Sequence, residues 1–118
     1  MRRRAMILVA SAAMALAGMQ AAFAVVSSDI SIAYNHDTEK FHGRVTSADA
    51  ECQAGRTVRL FKKTATGREL QGKTVSREKG GWRIEVMHPH GHYFAVTPDQ
   101  KIMHTMCGRA RSRTIDVM

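Results

Sequence analysis

Trp82-Arg83-Ile84-Glu85-Val86 places three apolar side chains at alternate positions and two charged ones between them. Successive side chains leave a strand on opposite sides, so this alternation predicts a strand with one buried and one wet face. Similar runs lie on both sides of it: Ile30 to Tyr34, Phe41 to Val45, Arg56 to Leu60 and Arg113 to Val117. Tyr93-Phe94-Ala95-Val96 reads as a strand buried on both faces, and a weaker strand is expected around Gly72 to Ser76. Thr64 to Gly67 reads as a loop, and Gly67, Gly72, Gly80, Gly81 and Gly91 punctuate the middle of the chain. Seven short strands separated by turns predict one all-β domain, an antiparallel seven-stranded β-sandwich. Its expected core is Val45, Val58, Leu60, Trp82, Ile84, Val86, Tyr93 and Ala95.

The start of the chain has a different character. Arg2, Arg3 and Arg4 precede an uncharged, mostly apolar run from Ala5 to Met19, and Ala22-Phe23-Ala24 supplies small residues where a signal peptidase reads. The run is short of the roughly 20 residues of a spanning helix, which favours a signal peptide, residues 1–24, cut after Ala24. The expected mature domain, 25–118, is secreted, periplasmic or otherwise extracytoplasmic, carries no transmembrane segment, and begins with a loose tail from Val25 to Ser28. The whole chain has 18 Lys and Arg against 10 Asp and Glu; without the three early arginines the balance is 15 against 10, or +5. Arg56, Arg59, Lys62, Lys63, Arg68, Lys73, Arg77, Lys79 and Arg83 are scattered rather than run together, and read as a solvated face. With one Trp and two Tyr available for stacking, no nucleic-acid partner is expected; an envelope polymer or protein is the expected kind of partner.

Cys52 and Cys107 are the two cysteines. An even pair in a small domain outside the reducing cytoplasm reads as a disulfide, and their wide separation argues against a C-x-x-C redox centre. Closing that loop stabilises a fold by about 4 kcal/mol in the chain-entropy model.

Gly43-x-Val45, Arg56-x-Val58-x-Leu60, Gly81-Trp82 and Gly91-x-Tyr93-x-Ala95-Val96 follow one another in an order that resembles the carboxypeptidase regulatory-like and transthyretin-like modules of secreted bacterial proteins. The flanks, ISIAYN, C-x-x-G-R at Cys52 to Arg56 and the closing CGRARSRTIDV, resemble small exported proteins with this module and a paired cysteine. The resemblance spans nearly the whole mature chain and implies an immunoglobulin/prealbumin-like sandwich. The chain departs from it at Lys79-Gly80-Gly81, where the family often has Asp before the glycine of the central turn. It also lacks the Tyr-Arg-Gly-Ser tail of the transthyretin-like hydroxyisourate hydrolases, ending instead in Arg113-Thr114-Ile115-Asp116-Val117-Met118, which excludes that activity.

Two motifs point to chemistry. Gly67 to Thr74 (GRELQGKT) fits the phosphate-binding pattern G-x-x-x-x-G-K-[ST], with Gly67, Gly72, Lys73 and Thr74 at the defining positions. Such a loop needs a strand before it and a helix after it. Here Gly80-Gly81 follows too soon for a packed helix, so the match is read as chance and no nucleotide is expected. His88-Pro89-His90-Gly91-His92 admits two readings: a hairpin turn with exposed histidines, or a copper or zinc ligand set of His88, His90 and His92, helped by Met87, His104 and Met106. Ser47 to Asp49 and Ser76-Arg77-Glu78 offer nucleophile and acid types without a triad order, and read as turn residues. The expected function is therefore a non-enzymatic exported binding or structural module without a cofactor. A periplasmic or extracellular copper- or zinc-binding protein is the alternative, and a hydrolase a distant third.

Overall fold

A computed structural model describes residues 24–118; the expected signal segment lies outside the described residues apart from Ala24. Eleven strand segments account for the architecture: β1 (Ser28–Ile30), β2 (Ala33–Asn35), β3 (Lys40–Ser47), β4 (Thr57–Thr64), β5 (Gly67–Val75), β6 (Gly81–Glu85), β7 (Gly91–Thr97), β8 (Gln100–Ile102), β9 (Thr105–Cys107), β10 (Ala110–Arg111) and β11 (Ile115–Val117). Among the described residues the helical turns are two single 3-10 turns, Ala50–Cys52 and Glu78–Gly80. No helix there is long and apolar enough to cross a membrane.

All strand pairs named here are antiparallel, and they form two main sheets. In one, β3 is flanked by β6 on one side and by β1 and β2, end to end, on the other. In the other, β7 pairs with β4, which pairs with β5, while β10 and β11 share the far edge of β7. Ile30, Phe41, Val45, Trp82 and Ile84 from the first sheet meet Val58, Leu60, Tyr93, Ala95 and Val117 from the second in one core. The Phe41 and Tyr93 rings, on different sheets, lie 4.8 Å apart. The expected core residues are all there, Val86 at its margin, and Ile30, Ile32, Phe41 and Val117 complete it.

Both broken edge strands are held by the same device. At the β1–β2 break, Ser31 donates its backbone N–H to the Arg44 carbonyl at 3.0 Å, and its hydroxyl accepts from the Arg44 N–H at 3.0 Å. At the β10–β11 break, Ser112 donates its N–H to the Ala95 carbonyl and its hydroxyl accepts from the Ala95 N–H, each at 2.8 Å. A serine hydroxyl thus stands in for the backbone carbonyl that turns away, so the Arg44 and Ala95 amides stay paired at the breaks.

Three sequence expectations are corrected. The amino-terminal stretch is not a loose tail: Val26 donates to the Met106 carbonyl and accepts from Gly108 N–H, and Ser28 already belongs to β1. The weak strand expected at Gly72 to Ser76 begins at Gly67 and reaches Val75. Its first half alternates poorly because it projects beyond the core, with both of its faces exposed. A hairpin of β8 and β9 was not expected from the sequence, since three residues per arm are too few for a legible pattern.

Arg56 overturns the solvated reading of its position: it is fully buried. Its guanidinium donates to the carbonyls of Cys52 (2.9 Å), Pro98 (3.2 Å) and Gly108 (2.7 Å), to Ser28 Oγ (2.9 Å) and to Gln100 Oε1 (3.4 Å). Cys52 and Cys107 are disulfide-bonded beside it, as expected. Burial lowers the Arg56 pKa from its ordinary value, opposed by the Asp99 carboxylate, and the group stays a cation held by dipoles.

A Cβ on Gly43 would stand 1.9 Å from the Ser31 carbonyl oxygen and 2.8 Å from Trp82 Nε1, whereas one on Gly81, an ordinary extended residue, meets nothing. Gly43→Ala is expected to cost about 3 kcal/mol or more and Gly81→Ala under about 1 kcal/mol, read from urea unfolding midpoints. Arg56→Met strands three carbonyl acceptors and is expected to cost about 3 kcal/mol or more. Reducing the disulfide should then destabilise Arg56→Met less than wild type, because the guanidinium and the disulfide fix the same two segments; strictly additive losses would show them to be independent.

Candidate functional site

The phosphate-loop match lies along a strand. Gly67 to Thr74 forms nearly all of β5, and Gly72, Lys73 and Thr74 pair with Leu60, Arg59 and Val58 of β4. Amides pledged to a ladder cannot wrap a phosphate, and Glu78–Gly80 that follows is a single 3-10 turn. Gly72 is needed for packing: its missing Cβ would stand 2.6 Å from Ile84 Cγ2.

The histidine cluster forms the turn from β6 into β7. His88 has φ +50° and Gly91 φ +124°, so the stretch is not uniformly extended and strict alternation does not carry all three imidazoles to one side. His90 is held by its backbone: its N–H donates to the Tyr93 hydroxyl at 2.9 Å, and that hydroxyl donates to the His90 carbonyl at 3.3 Å. His92, exposed, faces Asp116 of β11 at 3.8 Å. His104 and Met106 belong to the β8–β9 hairpin, which follows the opposite end of β7, roughly 20 Å away at strand rise. Among the described residues no group of three or more His, Cys, Asp or Glu side chains converges to hold a metal ion.

The serine and carboxylate candidates are committed to turns. Asp49 accepts from Glu51 N–H at the start of a 3-10 turn, and the Ser47 hydroxyl donates to the Ser27 carbonyl. Ser76, buried, donates to the Gln53 carbonyl at 2.6 Å and accepts from Arg56 N–H at 2.9 Å.

What the fold does bring together is charge. Cross-strand partners share a face, so the register of β5, β4, β7 and β10 assigns the outward side chains of the four-stranded sheet. Arg59, opposite both Lys73 and Val96, Lys63, opposite Arg68, and Arg111, opposite Val96, all lie there. The carboxylate these registers add is Asp116, at the margin opposite His92. The other sheet is mixed in sign on its outer side, where Lys40 faces Glu85, His42 faces Arg83, Arg44 faces Gly81 and Asp29 faces Thr46.

Phe61 and Phe94 face each other on the same outer side, their rings stacked at 5.6 Å and 25°. The Arg68 guanidinium carbon lies 4.1 Å from the Phe61 centroid and that of Arg111 lies 3.9 Å from the Phe94 centroid. The resulting Arg–Phe–Phe–Arg row crosses all four strands, and it leaves Phe94 only 2% exposed on a solvent-facing side. Arg68 and Lys73 are visible in the sequence as dispersed basic residues, but only the register shows that they share a face with Arg111. The contiguous apolar run at Tyr93 to Val96 is the one signal that hinted at a covered outer face.

No family model matches the sequence, and comparison with curated proteins and with solved structures gives no match.

Tyr93→Phe removes the hydroxyl that clamps the His90 backbone and is expected to cost about 1 kcal/mol in thermal unfolding. Replacing His88, His90 and His92 together by Ala keeps that clamp and should shift stability by less than Tyr93→Phe does.

Proposed function

We propose that the chain is an exported, non-enzymatic binding module: an immunoglobulin/prealbumin-like sandwich of the carboxypeptidase regulatory-like kind, released after Ala24, that engages an envelope partner through the outer face of its four-stranded sheet. The observation that carries this reading is the charge asymmetry between the sheets. Five cationic side chains share one face with a single marginal carboxylate, while the outer side of the other sheet sets Glu85 and Asp29 among Lys40, Arg44 and Arg83. A predominantly positive field on a sheet surface draws an anionic partner without needing a cleft. The division into β1/β2–β3–β6 and β5–β4–β7–β10/β11 supports the immunoglobulin-like side of the fold assignment.

The full chain, expressed in an exporting bacterium, is expected to appear outside the cytoplasm with Val25 as its first residue and to sediment with isolated cell envelopes at low salt. Edman sequencing and a sedimentation assay check both. A cytoplasmic, unprocessed protein, or one that stays in the supernatant at every salt concentration, would sink the reading.

A further inference from the structure

We infer that the arginine–phenylalanine row is a binding site for an acidic polysaccharide, a glycan carrying carboxylate, sulfate or phosphate groups; this rests on the proposed binding role of the same face. A depression of about 270 Å³ lies at the row, lined by Lys63, Thr64, Gly67, Arg68, Phe94 and Arg111. Three cations therefore surround a space with an aromatic floor. Among the described residues none of the three forms an ion pair.

The stacking does more than gather charge. A guanidinium carbon held about 4 Å over a ring centroid still leaves N–H donors pointing away from the ring, so Arg68 and Arg111 keep donors for a planar or tetrahedral anion while their heads are held in place. Holding each arginine over a phenyl ring removes rotamer freedom before any ligand arrives, and that lowers the entropy lost on binding. Lys63 touches neither ring by this geometry and acts as a movable point charge on the rim.

The form of the row selects among polyanions. Single-stranded nucleic acid needs open ring faces on which bases stack. Here each ring has the other phenyl on one side and a guanidinium on the other. On a bilayer, stable seating is helped by a contiguous apolar anchor, whereas Leu70 and Val75, the exposed apolar side chains of β5, lie at a strand edge opposite Phe61 and Thr57, with Lys73 between them in sequence, and leave charge alone to hold the domain. A chain of acidic sugars asks only for regularly placed cations along its path. Arg68 and Arg111 lie on strands three spacings apart, about 14 Å at ordinary strand separation, with Lys63 on β4, one of the two strands between.

The test is isothermal titration of the exported, oxidised protein with polygalacturonate, with neutral dextran, single-stranded DNA and phosphatidylglycerol vesicles as the other probes. Arg68→Ala/Arg111→Ala should weaken polygalacturonate binding about tenfold or more. Lys63→Ala, which leaves the ring row intact, should weaken it by a smaller factor and steepen no unfolding curve. Arg44→Ala/Arg83→Ala, which removes equal charge from the other sheet's exposed side, should change it by less than about twofold. Equal losses in the two double variants would overturn the site, since bulk charge alone would then account for binding. Tighter binding of the DNA or the vesicles at matched charge would overturn the glycan assignment. Envelope sedimentation without polygalacturonate binding would remove this inference alone; absence of both would remove the binding-module reading as well.

Discussion

A buried guanidinium without a carboxylate must be held entirely by oxygen dipoles, and Arg56 is held in that way from five directions. Its donors end on Ser28 of β1, Cys52 of the first 3-10 turn, Pro98 and Gln100 around the start of β8, and Gly108 after β9. Those segments share no strand pairing with β4, on whose threshold Arg56 stands. Asp99, the carboxylate that favours its charge, instead receives the Arg109 N–H at 2.8 Å and pairs with that side chain at 3.6 Å. One cation therefore ties together segments that no strand ladder joins to β4. The carbonyls it gathers would otherwise be buried acceptors in irregular loops, so arginine and loops each satisfy what the other leaves open. The disulfide acts at the same place by a different route, restricting the unfolded chain rather than neutralising polar groups.

The two serine-braced breaks solve a related problem at the sheet edges. An edge strand that bends away exposes amides of its neighbour, and both Arg44 and Ala95 lie in central strands where a lost bond is costly. A hydroxyl reaches back across the gap at Ser31 and at Ser112, which lets the edge kink toward the core without breaking the ladder. Short, kinked edges are also poor templates for pairing with other chains. β5 is the long edge that remains, and its register slips between Leu60 and Phe61 while it carries Arg68 and Lys73 outward. These features blunt it in the same sense.

Alternation made the interior legible. Val58, Leu60, Trp82 and Ile84 are buried where period two placed them, because strands with one face on a core obey that period strictly. It failed where a segment faces water on both sides, as in β5 before Gln71, or is too short to show a period, as in β8 and β9. The cysteine pair was legible because an even count and a wide spacing leave few alternatives. Arg56 was not, since a sequence gives an arginine the prior of an exposed residue and only folding brings five acceptors to it. The candidate site was hidden for a similar reason: Lys63, Arg68 and Arg111 are separated in sequence and become neighbours through the β4–β5 hairpin and the long return from β7 to β10.

Phe61 and Phe94 contribute little to the shared core, lying on the other side of their strands from Leu60 and Ala95, and two exposed phenyl rings would be an aggregation hazard. Arginine stems cover them at no loss of charge, so the same contacts that make the face soluble also fix its cations in place. Replacing either arginine with a short polar residue uncovers a ring, and replacing either phenylalanine frees an arginine. Solubility and the placement of the two cations are therefore coupled in this row, since the same four side chains set both.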